Sequence, residues 1–305
     1  MTVPFIAPFI TGENLVEILP MVDAIDALEK TFAAPALPTT PPRQHMATTS
    51  GELLTMPAWG DLGVGVKLIT IDAANPERGL PLIHGVYVLF SPDTHELLAV
   101  FDGGGLTKVR TAAVSGLATR HLARADASHL VVFGAGVQAA GHIDAMRGIR
   151  PIERVTIVAR NEDAARALAT EVGGTPGAAA DVADADIICT CTTSPTPVFD
   201  GTLVSAGTHI NAIGAYRPTD RELDDAAVSA GRVIVETKDA ALSEAGDIVI
   251  ALEHGAIERS QIEELSAVVR GLGRASDDEV TVFKSVGVAF EDLAVAAAAY
   301  ENLTR

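Results

Sequence analysis

The stretch Leu130 to Ala140, LVVFGAGVQAA, constrains this chain more than any other. An apolar run from Leu130 to Phe133 breaks into Gly134, Ala135 and Gly136, passes into residues suited to a helix, and is followed by a second apolar run, Val155 to Val158. A dinucleotide pyrophosphate requires this order, because it needs backbone amides aimed at it and the positive end of a helix dipole beside it. Gly134 would make the tight turn, Gly136 would let the backbone approach the phosphates, and Ala139 takes the third small position, where helix packs on strand. Glycine turns between strand and helix also occur without any ligand, so the motif takes its weight from what surrounds it.

Beyond the turn the chain alternates: a helix over Val137 to Arg147, a strand over Val155 to Val158, a helix over Asp163 to Val172, and strands at Ile187 to Cys191, His209 to Ile213 and Val233 to Glu236. Alternation of this kind predicts a doubly wound parallel sheet of the Rossmann type. The region before it reads differently. Thr11 can cap a helix over Gly12 to Leu19, a second helix spans Met21 to Phe32, and strands come next at Gln44 to Thr48, Glu52 to Met56, Val64 to Ile71, Leu82 to Phe90 and Leu97 to Phe101. That is a mixed, mainly antiparallel sheet with helices. Thr107 is placed to cap a helix reaching about Arg124, and Thr281 to Leu303 has apolar residues near helical period. The expected α/β fold is therefore a Rossmann sheet (116–281) inserted into a mixed α+β substrate and dimerisation domain (1–115 plus 282–305).

A net charge of −18 argues against a nucleic-acid partner, whose phosphates most of the surface would repel. An anionic ligand must then meet a local cationic pocket. The first ten residues carry no basic flank and are broken by Pro4 and Pro8, so neither a signal peptide nor a membrane span is expected, and a cytoplasmic protein is the default. Cys189 and Cys191 read as buried thiols rather than a disulfide or metal pair. No histidine spacing suggests a metal site; His84 and His209, in strands, read as core histidines.

Few cations sit in apolar surroundings, and these are the informative ones. Lys67, within LGVGVKLITI, shares a strand face with Gly65, Ile69 and Ile71. It is either a strand-end lysine whose ammonium reaches water or a cation aimed into a pocket, where desolvation lowers its pKa. Arg110 and Thr111 fall in the first turn of the helix capped by Thr107, where an arginine opposes the helix dipole unless an anion lies between. That arrangement suits a carboxylate; a surface arginine paired with an acid is the alternative. Arg43, after two prolines, is a further candidate. At the tip of the second strand stand Arg160 and Asn161 and no acid, which favours the 2′-phosphate of NADPH over the ribose hydroxyls of NADH, with NADH still possible.

With these positions in hand, the chain resembles the ornithine cyclodeaminase and mu-crystallin family over nearly its whole length. The segments that carry the resemblance are PPRQH around Arg43, TMPAW around Met56, VKLITIDAANPERGLP from Val66, TKVRTAAVSGLATRHLAR from Thr107, FGAGVQA, HINAIGAYRPTDRELD from His209 and TVFKSVGVAFEDLA near the end. The resemblance implies a homodimer, a substrate domain completed by the C-terminal helix, and an inserted Rossmann domain. It implies Arg43, Lys67 and Arg110 as carboxylate-binding and active-site cations, with Met56, Thr111 and Tyr216 beside the substrate. It implies a cofactor set of Thr111, Gly134, Ala135, Gly136, Val137, Gln138, Arg160, Asn161, Thr190, Ile213 and Lys284.

Two departures bear on the reaction. Leu54 stands where cyclodeaminases of this family place a glutamate, and Tyr216 where they place an aspartate. Loss of a general acid or base costs about 100- to 10,000-fold. The reductase branch, similar to mu-crystallin and the bacterial pyrroline-carboxylate reductases, tolerates both changes. The expected activity is reduction of small cyclic imino acids, 1-pyrroline-2-carboxylate or 1-piperideine-2-carboxylate, to L-proline or L-pipecolate. An alanine-type or opine-type dehydrogenase, a cyclodeaminase and a non-catalytic NADPH-binding protein are the alternatives.

Overall fold

The computed structural model describes residues 7–305; most of the N-terminal stretch considered for a signal peptide or membrane span lies outside them. In chain order the elements are β1 (Phe9–Ile10), α1 (Gly12–Ile18), α2 (Met21–Ala33), β2 (Gln44–Ala47), β3 (Glu52–Gly60), β4 (Gly63–Ile71), β5 (Ile83–Phe90), β6 (Leu97–Asp102) and α3 (Gly103–Leu122). Next come β7 (His129–Phe133), α4 (Val137–Ile149), β8 (Arg154–Val158), α5 (Glu162–Val172), β9 (Thr175–Pro176), β10 (Ile187–Thr190), β11 (His209–Ala212), α6 (Asp225–Ser229) and β12 (Arg232–Val235). The last are α7 (Lys238–Glu244), α8 (Gly246–Glu253), β13 (Ile262–Glu264), α9 (Leu265–Val269), β14 (Thr281–Lys284) and α10 (Ala289–Thr304). The chain divides into two compact units, one of the residues up to Arg110 together with Val288–Arg305, the other Thr111–Gly287.

The first unit holds a six-stranded sheet in the order β1-β6-β5-β4-β3-β2, antiparallel except where β1 joins β6. Period-2 alternation separates its faces. Leu54, Met56, Ala58, Lys67, Ile69, Tyr87, Leu89, Ala99 and Phe101 are buried, and α10 packs against β3, β4 and β5. Phe32 of α2 meets Phe290 of α10 edge-on at 5.1 Å. Along β4 and β5 the alternate residues Val64, Val66, Leu68, Val86, Val88 and Phe90 are only half-buried or exposed, so the second face is also apolar. Strand β3 continues past Met56 through Pro57, which it can do because β2 pairs only as far as Thr55 and asks no amide of Pro57.

In the second unit an eight-stranded, wholly parallel sheet runs β13-β12-β14-β11-β10-β7-β8-β9. Its central strands β7, β10, β11 and β14 are buried along their whole length, as a sheet covered on both faces requires. The fold is α/β with one parallel and one mixed sheet, as expected from the sequence. Among the described residues no helix is long and apolar enough to cross a membrane.

Two elements differ from the sequence reading. Thr281–Lys284 is a buried strand in the parallel sheet, and the C-terminal helix starts only at Ala289, after a turn in which Gly287 takes φ +75°. Short apolar runs satisfy helix and strand periods alike, and pairing with β11 and β12 settles this one. Helix α3 begins at Gly103, not at Thr107. The Asp102 carboxylate accepts hydrogen bonds from the amides of Gly104 and Gly105, and a Cβ at Gly105 would lie 2.4 Å from Gly12 Cα. Gly103 and Gly105 are in the helix because the backbone of β5 and of α1 packs directly on them.

Candidate functional site

The first unit gathers a buried cluster of charges. On β4 the alternation turns Lys67 inward, with Met56 opposite on β3 and Tyr87 opposite on β5. Its ammonium donates to Asp292 Oδ1 at 3.1 Å and to Thr107 Oγ1 at 3.3 Å, and lies 2.9 Å from Asp292 Oδ2. Arg110 Nη1 donates to Glu291 Oε2 at 3.0 Å, and its Nε lies 3.4 Å from Asp292 Oδ1. Glu291 and Asp292 are consecutive on α10 and fully buried. A buried carboxylate without a partner costs several kcal/mol, so these four groups depend on one another.

Burial lowers the Lys67 pKa to about 8; Asp292 opposes the fall, while Arg110 and Arg43 add to it. Arg43, half-buried just before β2, thus acts on the same lysine. Arg110 is two turns into α3, so the dipole conflict expected at a first turn does not arise; its charge is met by the two carboxylates instead. Met56 is buried beside the cluster. Leu54, also buried, presents no acid on that strand.

In the second unit a cleft of about 870 Å³ opens at the ends of β7, β8 and β10, lined by Gly134–Gly136, Ala159, Arg160, Asn161, Thr192, Ser194 and Pro197 among others. Gly134 takes φ +108°, and a Cβ there would lie 2.5 Å from Cys191 O, so only glycine fits this turn. Gly136 is the N-cap of α4 and supplies no side-chain hydrogen bond. A side chain at Gly136 would meet no protein atom within 4 Å; its absence leaves the backbone open to approach. Val137 is exposed beside it, and Gln138 comes next in the first turn of the helix. These features fit a dinucleotide pyrophosphate: a helix N-terminus, a glycine turn and a cleft at the carboxyl ends of parallel strands.

At the tip of β8, Arg160 and Asn161 are exposed. Asn161 Oδ1 caps α5 by accepting from Ala164 N at 3.1 Å, and the nearby acids Glu162 and Asp163 pair with Arg166. Thr111 is buried with its hydroxyl making no hydrogen bond.

The remaining expected residues are placed less openly. Thr190 is buried at the end of β10 and donates to Glu222 Oε2 at 2.8 Å; Ile213 N donates to Thr190 O. Glu222 also accepts from Thr192 N and Gly214 N at 2.7 Å each, tying the loops after β10 and β11 together. Lys284, at the end of β14, is engaged by Asp247 Oδ2 at 2.8 Å and by Ala215 O at 2.6 Å. Tyr216 is half-buried against the core of the second unit, with Arg217 stacked over its ring. His209 is a core histidine, as expected, and burial pushes its pKa down to about 3. His84 is not: it lies exposed on β5, on the face opposite Tyr87.

Sequence reasoning missed Glu291, Asp292 and Tyr87. The signal for the first two was a pair of adjacent acids at the head of an alanine-rich, otherwise apolar helix, where charge is costly unless a cation arrives. Tyr87 looked like any aromatic in a strand.

A model of the ornithine cyclodeaminase/mu-crystallin family matches residues 9–305. The chain is 41% identical over 270 residues to a Delta(1)-pyrroline-2-carboxylate reductase of Bacillus cereus, an alignment covering 84% of this chain and 83% of the relative. Among solved structures it is similar to Thermococcus litoralis Delta(1)-pyrroline-2-carboxylate reductase in complex with NADH and L-proline, with a TM-score of 0.91 and 32% identity over 97% of both chains. An archaeal alanine dehydrogenase dimer with bound NAD also has a TM-score of 0.91 and 32% identity, over 98% of this chain and 96% of that one. With a match that spans both units, the chain belongs to the ornithine cyclodeaminase/mu-crystallin family.

Proposed function

We propose that this protein is an NAD(P)H-dependent reductase of small cyclic imino acids, converting 1-pyrroline-2-carboxylate or 1-piperideine-2-carboxylate to L-proline or L-pipecolate. The observation that carries this reading is the gathering of cations in the first unit. Lys67 and Arg110 are buried side by side against Asp292 and Glu291, and Arg43 is close enough to act on Lys67, a concentration of positive charge that suits a small carboxylate. The first unit is the substrate domain on this reading, and the second holds the dinucleotide.

A nicotinamide dinucleotide held by its pyrophosphate at the glycine turn would supply the hydride. Arg43 and Arg110 hold the carboxylate and so orient the C=N carbon, and orientation is most of what hydride transfer asks of a protein. Lys67, protonated below about pH 8, completes the anion site and either keeps the imine protonated through water or relays the proton that its nitrogen needs. Gly134, Ala135, Gly136, Val137 and Gln138 cradle the pyrophosphate. Arg160 and Asn161 receive the 2′-phosphate, which makes NADPH the preferred donor; the acids nearest them are already paired with Arg166. Thr111, Thr190, Ile213 and Lys284 support the cofactor site; Thr190 and Lys284, fully buried, do so through Glu222 and Asp247. The apolar outward face of the six-stranded sheet is the homodimer contact, and the free thiols Cys189 and Cys191 suit the reducing cytoplasm.

The test is an NADPH and NADH oxidation screen over cyclic imino acids, pyruvate with ammonia, and ornithine. Fast oxidation with a cyclic imine supports the proposal. Preference for pyruvate with ammonia would favour the alanine-type reading, which the archaeal alanine dehydrogenase likeness keeps in play.

A further inference from the structure

Beside Lys67 the structure holds two polar groups that are incomplete in complementary ways. The Tyr87 hydroxyl is a donor, fully buried, that makes no hydrogen bond. Asp292 Oδ2 is an acceptor, also buried, that is ion-paired to Lys67 Nζ at 2.9 Å but accepts no aligned hydrogen bond. Both project from the elements that meet on the inner face of the sheet, Tyr87 from β5 and Asp292 from α10. Burial, and after it the negative charge of Asp292, holds the phenol's pKa well above the ordinary value.

The phenol is also fixed in place. Its ring meets Phe101 edge-on at 6.3 Å, and its hydroxyl lies over Gly65, where a Cβ would approach to 1.9 Å. Any side chain at position 65 would displace it. An idle buried hydroxyl is less favourable than a phenylalanine in the same place, because its desolvation goes uncompensated. Its presence calls for a state in which it is used.

We propose that Tyr87 is a positioning residue of the anion site: its hydroxyl donates to the Asp292 carboxylate once a bound carboxylate has drawn Lys67 toward itself. At rest Asp292 is served by Lys67 and Arg110. An incoming carboxylate competes for both cations, adding negative charge next to Asp292 and Glu291. Tyr87 then satisfies Asp292 without any proton leaving the phenol, and Lys67 is free to turn. This rests on the proposed anion site but not on the identity of the substrate, since any small carboxylate makes the same demand.

The experiment compares Tyr87→Phe with wild type in two ways: thermal unfolding of the ligand-free protein, and binding of L-proline and of acetate to the NADH-loaded protein by calorimetry. The expected result is a ligand-free variant at least as stable as wild type, with both carboxylates bound about tenfold more weakly. A purely structural hydroxyl would show the opposite, lower stability with unchanged affinity, and would overturn the proposal. So would equal affinity at equal stability. If wild type binds acetate but not L-proline, the imino-acid reading fails and the acetate comparison still decides the role of Tyr87.

Discussion

Lys67 on β4 and Asp292 on α10 meet at 2.9 Å across 225 positions of sequence, both fully buried. Neither would be stable there alone: burial lowers the Lys67 pKa and Asp292 opposes the fall.

Activity and stability should part company above pH 8. Lys67 has a folded pKa of about 8 against 10.5 unperturbed, so between these values the unfolded chain binds the extra proton. Its contribution to stability therefore rises with pH through that window and is lost as pH falls through 8. The cation itself disappears in the same window. The expected outcome is that kcat/KM for the imino acid falls by about tenfold per pH unit above 8, while Lys67 causes no loss of melting temperature there. Rate profiles and thermal melts from pH 6 to 10 check both.

Replacing Asp292 by Asn removes the group that opposes the fall in the Lys67 pKa. The alkaline limb of the rate profile should move to lower pH. The variant should also lose about 3–5 kcal/mol of stability, the usual consequence of breaking a buried pair. Denaturant titration gives the second quantity, and an unmoved limb would separate Asp292 from the chemistry.

Arg110→Ala should lower kcat/KM by about 100-fold, equivalent to roughly 3 kcal/mol of lost charge-assisted pairing. Dinucleotide affinity should stay within about twofold, because the glycine-turn cleft is built from other residues. Fluorescence titration with NADPH beside steady-state rates distinguishes the two.

Arg160→Ala should weaken NADPH by about tenfold, the loss of one exposed charge-assisted contact, and leave NADH nearly unaffected. The ratio of KM values for the two dinucleotides measures it. A ratio that does not move means Arg160 does not face a 2′-phosphate.

Leu68→Glu places a charge at the centre of the outward sheet face, between Thr55 and Val86. If that face joins two copies, the variant should sediment as a monomer where wild type sediments as a dimer. Its inner-face contacts are untouched, so it should remain folded.

Much of the architecture was legible because it follows from local pattern. The glycine turn at Gly134–Gly136, the strand and helix alternation after it, and the antiparallel strands before it depend on periodicities that neighbouring residues carry. Lys67 stood out for a similar reason, as a charge on an apolar strand face. The pattern failed where two periods fit equally well, at Thr281–Lys284, and where packing overruled propensity, at the triglycine start of α3.

By itself, then, the sequence determined most of the strands and helices, where the glycine turn lies, and that Lys67 and Arg110 are out of place unless something answers them. Only the tertiary structure decided what answers them. Glu291 and Asp292 become partners because α10 packs on β3, β4 and β5. A buried charge is tolerable only beside its opposite, and no local pattern around Lys67 encodes a carboxylate that arrives from the far end of the chain.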